Sequence, residues 1–224
     1  MRKILVIAAH PDDEVLGCGG TIAKLASEGA EVQVLFLADG VSARESDLAN
    51  DELVTRRAAA RGACGLLGVQ KVSFKDFPDN RMDTIALLDV AKVIEVEIAS
   101  FAPDTIFTHH AGDLNIDHRR IHEATVVACR PQRGFPVKTL LLFEVPSSTE
   151  WQLPDTAAVF APNWFVDIST TLEKKMAALD IYKDEMRDWP HPRSMRAIEH
   201  LAHWRGACVG VDAAEAFMLG RQLG

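Results

Sequence analysis

A three-layer α/β fold with a mostly parallel central sheet and a C-terminal elaboration is what this sequence predicts, on three observations. Continuous apolar runs of strand length alternate with helically periodic segments through the first 145 residues, the pattern of strands joined by crossover helices. The runs are apolar at successive positions, so helices are expected to cover both faces of each strand. Charged clusters fall directly after the runs at 3–9 and 105–110, and ligands in such sheets bind beyond the carboxyl ends of the strands.

In chain order, KILVIAA (3–9) is the first buried strand, followed by a helix over 15–27 that Gly29 closes. EVQVLFLA (31–38) is the second strand, and the polar stretch 39–51 is a loop. Helical periodicity over 51–67 stops at Gly68, KVSF (71–74) is a short strand, and FPDNRMD (77–83) is a turn. A helix over 84–100 leads through Pro103 to the strand TIFTHH (105–110), then AGDLN, a helix over 117–129, and the strand VKTLLLFEV (137–145). The last third is less regular: short strands and turns, then helices over 171–187 and 193–203 separated by DWPHP. The whole is Rossmann-like and is expected to be one domain over 1–224, with its core at about 1–145 and the elaboration at about 146–224.

Bulk properties exclude several classes. The net charge is −8 and no basic stripe offsets it, which argues against nucleic acid as a partner. Cys18, Cys64, Cys129 and Cys208 lie far apart with no CxxC pair, so no thiolate metal site is expected. The N-terminal apolar run is too short for a signal peptide and no run of 18 apolar residues occurs, so membrane insertion is not expected and the expected location is the cytoplasm. A homo-oligomer is open, with the apolar C-terminal segment as a contact surface.

The informative stretch is AHPDDEVLGCGG (9–20). Its glycines resemble a dinucleotide-binding turn, but the third glycine of that pattern falls on Ile22, and three carboxylates would repel a pyrophosphate. A metal site accounts for more. Neutral imidazole and carboxylate are zinc ligands, and a catalytic zinc takes three protein ligands and keeps one position open. His10 and Asp13, folded together by the turn at Pro11, are two candidates, and His118 in GDLNIDHRRIHEA, at a helix start, is the third. Asp12 is then a free carboxylate beside the metal, where a general base belongs.

AHPDDEVLGCGGT with the later DLNIDHRR resembles the LmbE-like, PIG-L family of zinc-dependent N-acetyl-sugar deacetylases, over residues 3 to about 130. The resemblance implies His10, Asp13 and His118 as zinc ligands and Asp12 as base. It also implies that Arg56, upstream of Leu67-Gly68, contacts a substrate hydroxyl or phosphate. One position departs from the family: many members read H-P-D-H where this chain has Asn115-Ile116-Asp117-His118. An amide can donate to an oxyanion but cannot protonate a leaving amine, so His110 and His191 become the candidate acids.

The remaining candidates are supporting ones. Glu14 stabilises the following helix or orients the turn, and Asp117 orients a histidine or caps its helix. Asp79, Asn80 and Arg81 are placed to hydrogen-bond sugar hydroxyls, with a plain surface turn as the competing reading. The expected function is metal-assisted removal of an N-acetyl or other N-acyl group from an amino sugar or sugar conjugate. Zinc is the expected ion, and Fe²⁺ or Co²⁺ are compatible with the same ligands. The alternatives are hydrolysis of a different amide or amidine, and a sugar-binding relative without turnover.

Overall fold

The computed structural model describes residues 2–40, 49–154 and 156–224; most of the loop expected at 39–51 therefore lies outside the described residues. Seven strands form one sheet in the order β3-β2-β1-β4-β5-β7-β6. β1 (Lys3–Ala8), β2 (Glu31–Ala38), β3 (Lys71–Phe77), β4 (Thr105–His109) and β5 (Thr139–Phe143) run parallel, whereas β7 (Ala214–Gln222) is antiparallel to both β5 and β6 (Trp164–Asp167). The sheet separates two cores, and alternation along β1 assigns each residue to one of them. Ile4, Val6 and Ala8 pack with α1 (Asp13–Ser27), α2 (Ala49–Leu67), α5 (Leu172–Ile181) and α6 (Met195–Ala207). Leu5, Ile7 and Ala9 pack with α3 (Leu87–Phe101) and α4 (Ile116–Ala128). This is the covered, continuously apolar sheet the sequence predicts.

Three differences from expectation have physical causes. The apolar C-terminal segment, for which the sequence reading gave no element, is β7, paired along both edges within the sheet. The expected helix over 171–187 ends at Ile181, where Tyr182 turns inward and is 3% exposed. The strand at 71–74 extends to Phe77, and its alternation of half-buried and exposed residues is that of an edge strand.

The GCGG stretch is a packing device. α1 is broken at Cys18, whose backbone is non-helical (φ −149°, ψ 23°). A Cβ on Gly17 would enter the ring of Phe143, and one on Gly20 would lie 2.7 Å from Ile168 Cδ1. The backbone groups freed by the break are satisfied from the C-terminal third. Glu215 accepts the N–H groups of Gly20 (2.9 Å) and Thr21 (2.7 Å), a carboxylate at the positive end of the resumed helix. Lys175 Nζ donates to the Leu16 carbonyl (2.9 Å) and to Glu215 Oε1 (2.6 Å). Both residues are buried.

Breaking such a pair on one side leaves an uncompensated buried charge, which costs about 3–5 kcal/mol. Glu215→Ala is expected to lower the unfolding free energy by about that amount, measured by urea denaturation. A loss below about 1 kcal/mol would show that the pair does not hold the break.

Candidate metal centre and cavity

β1 and β4 are neighbours, although β2, β3 and the three helices α1, α2 and α3 lie between them in the chain. Their carboxyl ends form the switch point of the sheet, the place where open α/β sheets bind ligands. The turn after β1 folds back on itself: His10 N–H donates to Asp13 Oδ2 (2.8 Å) and Asp13 N–H to the His10 carbonyl (3.2 Å). Between them Asp12 has φ +121°, a region that costs a non-glycine residue about 1–3 kcal/mol. Glu14 holds it there, with Oε2 accepting the Asp12 N–H (3.0 Å) and Oε1 the Tyr182 hydroxyl (2.7 Å).

His10, Asp13 and His118 are all buried, and one ligand atom from each lies within 4.8 Å of the others. Each imidazole has one nitrogen held by an acid, which turns the other towards Asp13. His10 Nε2 lies 2.9 Å from Asp79 Oδ1 and 3.1 Å from Asp117 Oδ2, with Nδ1 3.4 Å from Asp13 Oδ2. His118 Nδ1 faces Asp113 Oδ1 at 3.1 Å, and its Nε2 faces Asp13 Oδ2 at 3.3 Å. Both His118 nitrogens are buried, and each has a carboxylate as its charged neighbour. The outer acids are anchored in turn. Asp117 accepts the N–H groups of Asn80 (2.7 Å) and Met82 (3.0 Å), and Asp113 accepts the hydroxyls of Ser148 and Thr149. His10, Asp79 and Asp117 form a second possible ligand group, but His10 is common to both.

Burial works against charge on these groups, and the neighbouring acids decide the outcome. Burial lowers the His118 pKa, but Asp13 and Asp113 outweigh it and raise it to about 9. Burial is likewise outweighed at His10 by hydrogen bonds to Asp117, Asp13 and Asp79, which raise its pKa well above the usual imidazole value. Burial would raise Asp13, yet the charge of His118 and hydrogen bonds from both histidines hold it well below the carboxylate range. Asp12 is pushed up to about 6, by burial first and by Asp13, against the pull of Arg193 and Arg56. Burial pushes Glu14 up to about 8. A site that draws protons onto two imidazoles stabilises positive charge, and a divalent cation competes with those protons for the same place.

The cluster opens into a cavity of about 240 Å³ whose lining includes His10, Asp12, Asp13, Arg56, Asp79, Asn80, Asn115, His118 and Arg193. Arg56 donates to the carbonyls of Gly40 and Pro11, and its Nε is 3.4 Å from Glu185. Asn115 caps α4, its Oδ1 accepting the Asp117 N–H (2.8 Å) while Nδ2 donates to Asn80 Oδ1 (3.1 Å). Three expected site residues are placed elsewhere. His110 lies past the end of β4, with Nε2 2.8 Å from the Ala158 carbonyl and its ring against Phe160. His191 packs on Trp151 and accepts the Arg193 N–H at Nδ1 (3.0 Å), so it supports the loop and does not line the cavity. Arg81 is exposed and is also absent from the lining.

Three residues carry roles the sequence reading did not assign. His109 stacks on His118 at 3.9 Å between ring centroids and accepts the Ala9 N–H at Nε2 (2.8 Å). Its proton therefore belongs on Nδ1; burial, and then the charge of His118, hold its pKa well below normal. Asp113 fixes His118. Arg193 Nη1 lies 3.1 Å from Asp12 Oδ2. Neighbouring histidines at a strand end gave a signal that one of them faces the site; Asp113 stands inside the quoted DLNIDHRR string, and Arg193 directly follows the DWPHP turn.

The family described as PIG-L: GlcNAc-PI de-N-acetylase matches residues 5–129. A diacetylchitobiose deacetylase of Thermococcus kodakarensis is 30% identical over 200 residues, covering 83% of this chain and 70% of that protein. The N,N'-diacetylchitobiose deacetylase from Pyrococcus horikoshii superposes with a TM-score of 0.80 at 24% identity, over 98% of this chain and 84% of that one. GalB, the 4-carboxy-2-hydroxymuconate hydratase from Pseudomonas putida, superposes with a TM-score of 0.78 at 23% identity, over 100% and 98% of the two chains. The fold thus carries more than one activity, and the site must decide between them.

Removing an N-cap acceptor costs about 1 kcal/mol. Asn115→Ala is therefore expected to lower unfolding stability by about 1 kcal/mol in urea titrations, and an unchanged midpoint would rule out the cap as a stabilising contact.

Proposed function

The chain belongs to the PIG-L family, and from that membership and the convergence of His10, Asp13 and His118 beside Asp12 we propose a zinc-dependent hydrolase that removes an N-acetyl group from an amino sugar or sugar conjugate. The observation that carries this reading is the buried cluster of His10, Asp13 and His118 in a wall of the cavity, with one ligand atom of each within 4.8 Å of the others. Two imidazoles and a carboxylate are a donor set that zinc accepts, and Fe²⁺ or Co²⁺ fit it as well. In this reading the 224 residues act as one domain, in the cytoplasm, on a small molecule.

A zinc ion held there would polarise the amide carbonyl and lower the pKa of water at the site. The residues of the chain do the rest. His10, Asp13 and His118 are the ligands, and Asp117, Asp79 and Asp113 fix the imidazoles in the orientation ligation needs. Asp12 takes a proton from the attacking water. Neither His110 nor His191 lines the cavity, so the protonated Asp12 is the acid that returns this proton to the leaving amine. Asp79, Asn80 and Arg56 line the cavity and receive the sugar hydroxyls.

Elemental analysis of purified protein with acetate-release assays on N-acetylglucosamine and N,N'-diacetylchitobiose tests the reading. Wild type is expected to hold close to one zinc per chain and His118→Ala to lose it. Asp12→Asn should keep its zinc while turnover drops about 10²–10⁴-fold, the usual contribution of a general base. Protein that takes up no zinc when it is supplied, or an Asp12→Asn variant of normal turnover, would overturn it.

A further inference from the structure

We propose that Arg193 is a catalytic residue of this site, its guanidinium holding the oxyanion that forms on the acyl carbon while it keeps Asp12 in place. The inference rests on the deacetylase reading above. Arg193 comes from the loop before α6, far in sequence from the metal-ligand candidates, yet it lines the same cavity as Asp12 and His118. Its backbone is tied on both sides: the N–H donates to His191 Nδ1 (3.0 Å) and the carbonyl accepts from the Arg187 N–H (3.2 Å). The side chain is tied as well, through Nη1 to Asp12 Oδ2 (3.1 Å) and Nε to Ser147 Oγ (3.1 Å). Nη2 makes no hydrogen bond among the described residues, although only 22% of the side chain is exposed.

A planar guanidinium pinned by two of its nitrogens directs the third without further freedom. Nη2 is thereby fixed next to the group that holds Asp12, in a residue that lines the cavity. Asn115 is engaged in the helix cap and with Asn80, and two of the Arg56 nitrogens donate to the carbonyls of Gly40 and Pro11 while Nε lies 3.4 Å from Glu185. In a chain with Asn115 in place of the family's histidine, Arg193 serves as oxyanion donor but not as acid, since a guanidinium does not give up its proton.

The step balances without any further reactant. The water oxygen forms a bond to the acyl carbon, its proton goes to Asp12, and the carbonyl π pair moves onto the oxygen that Arg193 Nη2 receives. Collapse of the tetrahedral carbon breaks the C–N bond, the nitrogen takes the proton from Asp12, and the products are acetic acid, which gives its remaining proton to bulk water as acetate, and the free amine.

The test compares zinc-loaded wild type, Arg193→Ala and Arg193→Lys in acetate release from N-acetylglucosamine and N,N'-diacetylchitobiose. Zinc content and thermal melting are measured on the same samples. Loss of one oxyanion donor slows turnover about 10²–10³-fold. Arg193→Ala should show that loss in kcat with little change in KM, keep its zinc, and regain activity when guanidinium is added. Arg193→Lys, a point charge without the fork, should recover only part of it. An Arg193→Ala variant within about threefold of wild-type kcat overturns the proposal and leaves the deacetylase reading standing. A defect that follows zinc loss or a lowered melting temperature, without guanidinium rescue, also overturns it. If wild type with full zinc releases no acetate, the deacetylase reading fails, and the role of Arg193 falls with it.

Discussion

Helix α1 carries the site-bearing turn at its start and a break at Cys18 in its middle, and Glu215 closes that break. The break lets the glycines pass Phe143 and Ile168, so the turn after β1 sits hard against the sheet. Without a carboxylate at Gly20 and Thr21, and an ammonium at Leu16, the interrupted helix would bury unpaired backbone groups, which native proteins avoid. Lys175 and Glu215 come from α5 and β7. The first motif of the chain is thus held by its last third, and the C-terminal elaboration is a structural requirement of the site.

The second organising feature is the ring of acids around two imidazoles. Asp79, Asp113 and Asp117 do not face the same nitrogens as Asp13; they take the opposite edges of His10 and His118 and leave the inner edges to converge. Asp113 and Asp117 are themselves held by backbone or hydroxyl donors and Asp79 by the side-chain amide of Asn80, so the geometry is prepared before any ligand arrives. Strain is concentrated at Asp12, whose positive φ is fixed by a hydrogen bond to Glu14. An energetically unfavourable backbone held by buried partners at a cavity wall is characteristic of functional positions.

Much of this was legible in the sequence, for reasons that also explain the rest. β1, β2, β4 and β5 are largely apolar runs between turn signals, and their burial on both faces writes that pattern directly; β3, at the edge, carries charged and half-buried residues instead. β7 was not legible, because AEAFMLGRQ mixes apolar, charged and glycine residues, and its place between β5 and β6 is set only by long-range pairing. His10, Asp12, Asp13 and His118 sit in compact strings that carry their chemistry locally. His109 and His110 differ only in which side of the strand end they take, and two-residue alternation states that they differ without saying which is inside. Arg193 is 181 residues from Asp12, and no local pattern marks a partner at that distance.

The position of β7 also constrains the order in which the sheet can be completed. Among the described strands β6 pairs with β7 alone, and β7 fills the space between β6 and β5. A chain emerging from the ribosome makes β6 well before β7, so β6 must wait, while the edge of β5 stays open after β1 to β4 have assembled. An open, apolar strand edge in a nascent chain is a template for pairing with other chains. Variants that weaken β7 pairing should therefore lower the yield of soluble protein more than they lower the activity of the molecules that do fold.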